Sequence, residues 1–183
     1  MKSLQGKLLV ATPQLVDPNF QQTVTLLVQH NKEGALGLVL NRPSRMKLRE
    51  AWRQVSEEPC ERDEWVHVGG PCQGPLMILH GDAERCQVAV TEGLYFAADP
   101  DDVAALVGGG ERPIRFFAGY AGWGPGQLEG ELRAGSWLVA PASHELVFAE
   151  PAKLWSQLIR AVGPDQSSPM LAPRIMPPDP SYN

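Results

Sequence analysis

Apolar residues gather in short runs along the chain, and each run stops at glycine, proline or a polar cluster. Leu8–Ala11 is apolar throughout and predicts a strand covered on both faces. Asp17, Pro18 and Asn19 mark a turn. Thr23–His30 and Ala35–Leu40 are two β-rich runs joined by Asn31, Lys32, Glu33 and Gly34, a hairpin pattern. Gly37, inside the second run, signals a bulge or the close passage of another backbone. Leu48, Trp52 and Val55 recur at i, i+4 and i+7 opposite Arg49, Glu50, Arg53 and Gln54, which predicts an amphipathic surface helix starting near Lys47 or Ser44. Trp65–Val68, Met77–His80 and Cys86–Thr91 read as strands. Asp99-Pro100-Asp101-Asp102 combines an N-cap, a proline at N1 and first-turn acid, so a helix runs from there through Leu106 to the Gly108–Gly110 cluster.

The run from Arg115 to Trp137 is the densest in signal. Ile114–Tyr120 is aromatic and apolar, a covered strand, and Gly119, Gly122, Gly124 and Gly126 follow it with Trp123 among them. This predicts a rigid corner anchored by a buried Trp123 whose indole N–H seeks a partner. Leu128/Leu132 and Glu129/Arg133 at i, i+4 predict one or two helical turns closing near Gly135. Val139–Phe148 is strand-like, and Pro151–Val162 predicts a helix with Leu154, Trp155, Leu158 and Ile159 on one side.

GYAGWGPGQLEGEL followed by GSWLVAP resembles the signature of the YqgE/AlgH family. Three further blocks agree: GKLLVATPQLVDPNFQQTVTLLVQHNKEGALGLVLNRP from Gly6, VGGPCQGPLMILH from Val68, and VAPASHELVF from Val139. The element order is too irregular for a doubly wound sheet and suits an α+β domain. The resemblance implies a strongly bent, bifurcated β-sheet closing into a pseudo-barrel with about three to four flanking helices. It also implies an uncharacterised protein of bacterial type. The expected division is a single domain over residues 1–163 and a proline-rich tail over 164–183, which holds six prolines and little periodic apolar content.

Composition narrows function. A net charge of -5 and a pI near 5.4 count against general nucleic-acid binding, which needs a basic surface. The N-terminal apolar run soon meets Asp17, so neither a signal peptide nor a membrane span is expected, and the protein is placed in the cytoplasm. Cys60, Cys72 and Cys86 are odd in number and lack CxxC spacing, so reduced thiols are expected. His30, His67, His80 and His144 have no metal-ligand spacing, and no cofactor motif is present: GGGER lacks the lysine of a phosphate loop, and GYAGWG is not a dinucleotide fingerprint.

Asn41, Arg42, His80 and Tyr120 fall at strand ends within the family-like blocks and are the candidate ligand-binding residues, converging on a pocket for a small anionic or amide-bearing ligand. Against this stands a plainer role for each, satisfying backbone at a sharp corner, the usual fate of a buried polar group. A small hydrolase or transferase using the Asn41, His80 and Tyr120 neighbourhood is the enzyme alternative. Cys72 as nucleophile with His80 or His67 is weighed against simple packing of a small apolar thiol. Arg42, Arg45, Lys47, Arg49 and Arg53 form the one basic cluster, read as a solvated face. The expectation is a non-enzymatic module that binds a small ligand or a protein partner, with any effect on transcription indirect, since no helix-turn-helix or zinc finger is present.

Overall fold

A computed structural model describes residues 2–110 and 113–163. The proline-rich segment 164–183 lies outside the described residues. Among the described residues, ten strands and five α-helices form an α+β fold: β1 (Lys7–Ala11), β2 (Val24–Asn31), β3 (Gly34–Val39), β4 (Pro43–Lys47), α1 (Leu48–Trp52), β5 (Trp65–Val68), β6 (Cys72–His80), β7 (Val88–Thr91), β8 (Leu94–Ala97), α2 (Pro100–Gly108), β9 (Ile114–Trp123), α3 (Gln127–Arg133), β10 (Trp137–Pro141), α4 (His144–Val147) and α5 (Pro151–Val162).

The main path of the sheet is β10-β1-β2-β3-β9-β6-β8-β7, and it branches at β9. The first half of β9 has parallel β5 on one edge (Val66↔Phe116, Val68↔Ala118) and antiparallel β6 on the other. Beyond Tyr120, β3 takes over the edge that β5 held, pairing Ala35↔Trp123 and Gly37↔Ala121. β4 pairs outside β5 and completes the short branch. The expected bifurcation is therefore explicit in the pairing. The expected closure is not: among the described residues β10 and β7 end the path without pairing, so the sheet is not closed into a barrel.

Alternation along the strands distributes the core over both faces. Leu8, Val10, Leu26, Val28, Met77, Leu79 and Phe117 join one buried cluster with Val147, Leu154 and Leu158 of α4 and α5. Their neighbours point the other way. Leu9, Ala11, Leu27, Trp123 and Trp137 pack with Leu128 of α3, while Val66, Ile78 and Phe116 pack with Leu48, Trp52, Val103 and Leu106 of α1 and α2. Trp155 fastens α5 to β1 by donating its indole N–H to the Ala11 carbonyl at 2.8 Å.

Several local expectations change. The helix after Lys47 ends at Trp52, and Val55 is 68% exposed, so the apolar stripe stops one turn early. The strand-like run after Val139 breaks at Pro141, because Ser143 caps a short helix by accepting the Leu146 N–H. The Gly119–Gly122 stretch is not yet a corner: β9 runs through it to Trp123. Trp123 is buried as expected, and its N–H donates to Glu131 at 2.9 Å. The hairpin turn is tighter than four residues, with only Lys32 and Glu33 between β2 and β3, and the pairing carries a bulge between Leu27 and Gln29. Arg62 has a role the irregular stretch before β5 did not reveal. It is buried and donates to the carbonyls of Leu106, Val107 and Gly109, closing the C-terminal end of α2.

Candidate functional site

The four residues singled out in the sequence are dispersed. Asn41 accepts the Val24 N–H with Oδ1 and donates Nδ2–H to the Gln22 carbonyl, both at 2.9 Å. Arg42 donates to the carbonyls of Pro18 and Gln21. These two hold the turn before β2 and border a cavity of about 460 Å³. His80 is fully buried at the end of β6, where Nδ1 accepts the Asp82 N–H and the ring tilts against Tyr95. Tyr120 pairs with Cys72, six positions along β9 from Ile114, which pairs with His80. At strand rise that is about 20 Å. Asn41 and Arg42 are neighbours; His80 and Tyr120 lie at opposite ends of the β6–β9 ladder.

A different set of polar residues converges on a cavity of about 690 Å³ in the short branch. β4 contributes Pro43, Ser44 and Arg45; β5 and the residue before it contribute Trp65, His67 and Glu64; β9 contributes Ile114 and Arg115; and the start of α5 contributes Glu150 and Pro151. The period of two explains the grouping. Trp65, His67 and Arg115 share the sheet face that carries Phe117, while Val66 and Phe116 turn into the α1/α2 core.

Arg115 is 9% exposed. It donates to the carbonyls of Leu40 at 3.2 Å and Ala149 at 2.9 Å, and its guanidinium lies 5.9 Å from the Phe148 ring centroid. Among the described residues no carboxylate comes within ion-pair distance of it. Burial pushes its pKa down to about 10, and the more distant charge of Glu150 works in the opposite direction. It remains a cation at neutral pH. His67 is 7% exposed, its ring 5.7 Å from that of Phe117, and neither ring nitrogen has a hydrogen-bond partner of acceptable geometry. Desolvation, then the charge of Arg115, lowers its pKa to about 4, while the nearby backbone of Trp65 and Phe116 acts in the opposite direction. A neutral imidazole thus stands beside a buried guanidinium on one cavity wall.

The sign of the pH effect follows. Unfolding returns His67 to its ordinary value of 6.5, so the unfolded chain binds a proton that the folded chain refuses. The contribution is whole above pH 6.5 and is lost as pH falls toward about 4. After allowance for solvent screening it amounts to about 2 kcal/mol. Urea titrations at pH 7 and pH 4.5 should show His67→Gln losing less stability across that interval than the wild type, by about this amount. Equal losses would show that the imidazole is already charged or hydrated in the folded protein.

At the far end of the sheet, polar residues do structural work. His30 Nδ1 accepts the Leu4 N–H at 2.9 Å, so Nε2 carries the hydrogen and donates to Glu129 Oε1 at 2.9 Å. The Glu129 carboxyl is held below its usual range by its own backbone N–H and then by His30. In the basic cluster, Lys47 and Arg49 both pair with Asp63. Among the described residues there is no group of three or more His, Cys, Asp or Glu that could hold a metal, and no helix long and apolar enough to cross a membrane.

With the branched sheet and its cavity in view, the comparisons with known proteins place the chain. A model of the AlgH-like family matches residues 8–167. The chain belongs to the AlgH-like family. UPF0301 proteins of Chlorobaculum tepidum and Myxococcus xanthus are 42% and 40% identical to it, the first over 86% of both chains, the second over 90% of this chain and 94% of its own. The solution structure of AlgH from Pseudomonas aeruginosa shares the fold with a TM-score of 0.74 at 35% identity, covering 88% of this chain and 89% of that one. A Corynebacterium diphtheriae protein matches with a TM-score of 0.66 at 26% identity, over 88% and 87% of the two chains. The AlgH-like match covers the branched sheet from Leu8 onward, cavity included, and the UPF0301 names state no activity.

His67 and Arg115 were both visible in the sequence but not as a pair. The available cue was a charged residue inside an otherwise apolar strand run, Ile114–Tyr120, and a histidine inside WVHV. A charge in a strand covered on both faces needs a counter-group or a ligand.

Proposed function

We propose that this AlgH-like protein is a non-enzymatic binding module whose ligand is a small anion, held in the cavity between β4, β5, β9 and the start of α5. One observation carries the reading: Arg115, a buried guanidinium with no carboxylate in contact, shares a wall with the unpartnered His67. A buried charge without a partner is costly, and an anion seated on it removes that cost while gaining charge-assisted hydrogen bonds. The guanidinium spends one bond on each of Leu40 and Ala149, which fixes its plane before a ligand arrives.

The hydrolase alternative finds less support. Ser44 is the hydroxyl on this wall, and its Oγ is engaged with the backbone of Met46 rather than with His67. Nucleophilic catalysis needs that contact. The indirect character of any regulatory role agrees with the pairing of Lys47 and Arg49 to Asp63 and of Arg42 to backbone carbonyls, which leaves fewer cations for phosphate backbone. A cytoplasmic location belongs to the same proposal.

The direct test is an amide and imidazole chemical-shift titration with small carboxylates and inorganic phosphate. Binding should move the resonances of His67, Arg115 and the start of α5, and Arg115→Gln should weaken it by about tenfold or more while the dispersion of the spectrum is kept. Shifts confined to the Asn41–Arg42 turn would move the ligand to the other cavity.

A further inference from the structure

Resting on that anion site, we propose that its ligand is an organic monocarboxylate with a flat apolar body, the carboxylate on Arg115 and His67 and the body against Trp65 and its neighbours. The charge balance of the wall sets the valence. Arg115 and Arg45 face Glu150 there, while the other acidic residue of the lining, Glu64, is paired with Arg62 at 3.1 Å, so the wall carries one net positive charge to neutralise. Phosphate would bring up to two charges to a wall with one net positive charge and the Glu150 carboxylate on its rim, and the second charge would meet repulsion from Glu150. A carboxylate brings one. Its planar pair of oxygens also matches a guanidinium fork whose orientation is already fixed by two carbonyls.

The remainder of the wall sets the body. Pro43, Trp65, Ile114 and Pro151 contribute mostly carbon surface, and Trp65 is 47% exposed. Lys47 Nζ lies 3.8 Å from the centroid of the Trp65 ring and donates to Asp63, so the indole is held in place by a cation that is itself anchored. A large half-exposed aromatic, braced in this way on a concave wall, offers a stacking surface for a flat ligand. The volume of about 690 Å³ is that of a small-molecule site. His67 completes the recognition, because its protonated nitrogen supplies a second donor, and a bound carboxylate raises its affinity for a proton.

The experiment uses the full chain and four probes: phenylacetate, its uncharged amide phenylacetamide, acetate and inorganic phosphate. Titration by calorimetry and by chemical shift should rank phenylacetate first, about tenfold or more above both acetate and the amide. Phenylacetate should bind more tightly at pH 5 than at pH 7, with the His67 ring carbon moving to its protonated position in the complex. Trp65→Ala should weaken phenylacetate severalfold and leave acetate unchanged, a test that stands even where Arg115→Gln fails to fold. Phosphate binding more tightly than phenylacetate, with the shifts still at Arg115, would overturn the ligand class and leave the anion site in place. Phenylacetamide equalling phenylacetate would overturn the carboxylate. Shifts at none of these residues with any probe would overturn both readings.

Discussion

Gly70→Ala is expected to abolish the native fold. β5 lies on one edge of β9 and β6 on the other, so the chain must cross β9 between Val68 and Cys72. Two inter-strand spacings combined with the two-residue offset from Ala118 to Tyr120 make about 12 Å, and the four Cα–Cα steps from Val68 to Cys72 reach about 13–14 Å when extended. Gly69, Gly70 and Pro71 therefore pass over the β9 backbone with little slack. A Cβ on Gly70 would stand 2.2 Å from the Tyr120 carbonyl carbon and 2.3 Å from the Ala121 nitrogen, at a φ of +156°. Both neighbours are backbone in the central strand, and neither can rotate away. The cost should exceed about 5 kcal/mol, an exceptional penalty for one substitution and as much as the whole stability of a marginal domain. Circular dichroism and amide dispersion report the loss. Gly130→Ala is the matching control: the glycine is inside α3 with open space around its Cβ position, and alanine there should stabilise by about 0.5–1 kcal/mol. A Gly70→Ala protein with native dispersion and near wild-type stability would mean that the crossing is looser than its geometry.

That crossing also explains which parts of the fold were legible in the sequence. α2 and α5 were readable because their signals are local: Asp99 and Pro100 open one, Pro151 opens the other, and glycine follows each. β1 and the β2–β3 hairpin were readable for the same reason. The branch was not. β4 is short, largely exposed and irregular in register, and lacks apolar alternation, so the Pro43–Lys47 run gives no strand signal. The family resemblance supplied the bifurcation and overreached at closure. The candidate site depends on the branch, since His67, Arg115 and Glu150 come from positions far apart in the chain that only the β5–β9 pairing and the α4–α5 connection bring together. Asn41 and Arg42 looked functional because they are polar at a strand end. Their bonds to Val24, Gln22, Pro18 and Gln21 give them a structural occupation.

Glu131→Ala is expected to cost about 2–4 kcal/mol, and to do so without touching the anion site. Glu131 Oε2 accepts the indole N–H of Trp123 at 2.9 Å and of Trp137 at 2.8 Å, while Oε1 accepts from Gln127 at 3.1 Å. Both indoles are buried, at 5% and 3% exposure, and Phe20 packs against each, with centroids 6.0 and 5.5 Å away. One carboxylate from α3 thus satisfies the ends of β9 and β10 together, and its removal leaves two buried donors unpaired at about 1–3 kcal/mol each, less whatever water recovers. Glu131→Gln keeps an oxygen for the indoles but turns an N–H toward Gln127, so it should lose about half as much. Urea unfolding followed by tryptophan fluorescence separates the three proteins, and a Glu131→Ala midpoint equal to wild type would show that solvent already reaches the indoles. Arg115 and Trp123 are eight positions apart on β9, about 27 Å at strand rise. Folded Glu131→Ala should therefore bind the ligand as the wild type does. The glycine- and tryptophan-rich run by which the family is recognised builds one end of the central strand, and the ligand chemistry proposed here belongs to the other.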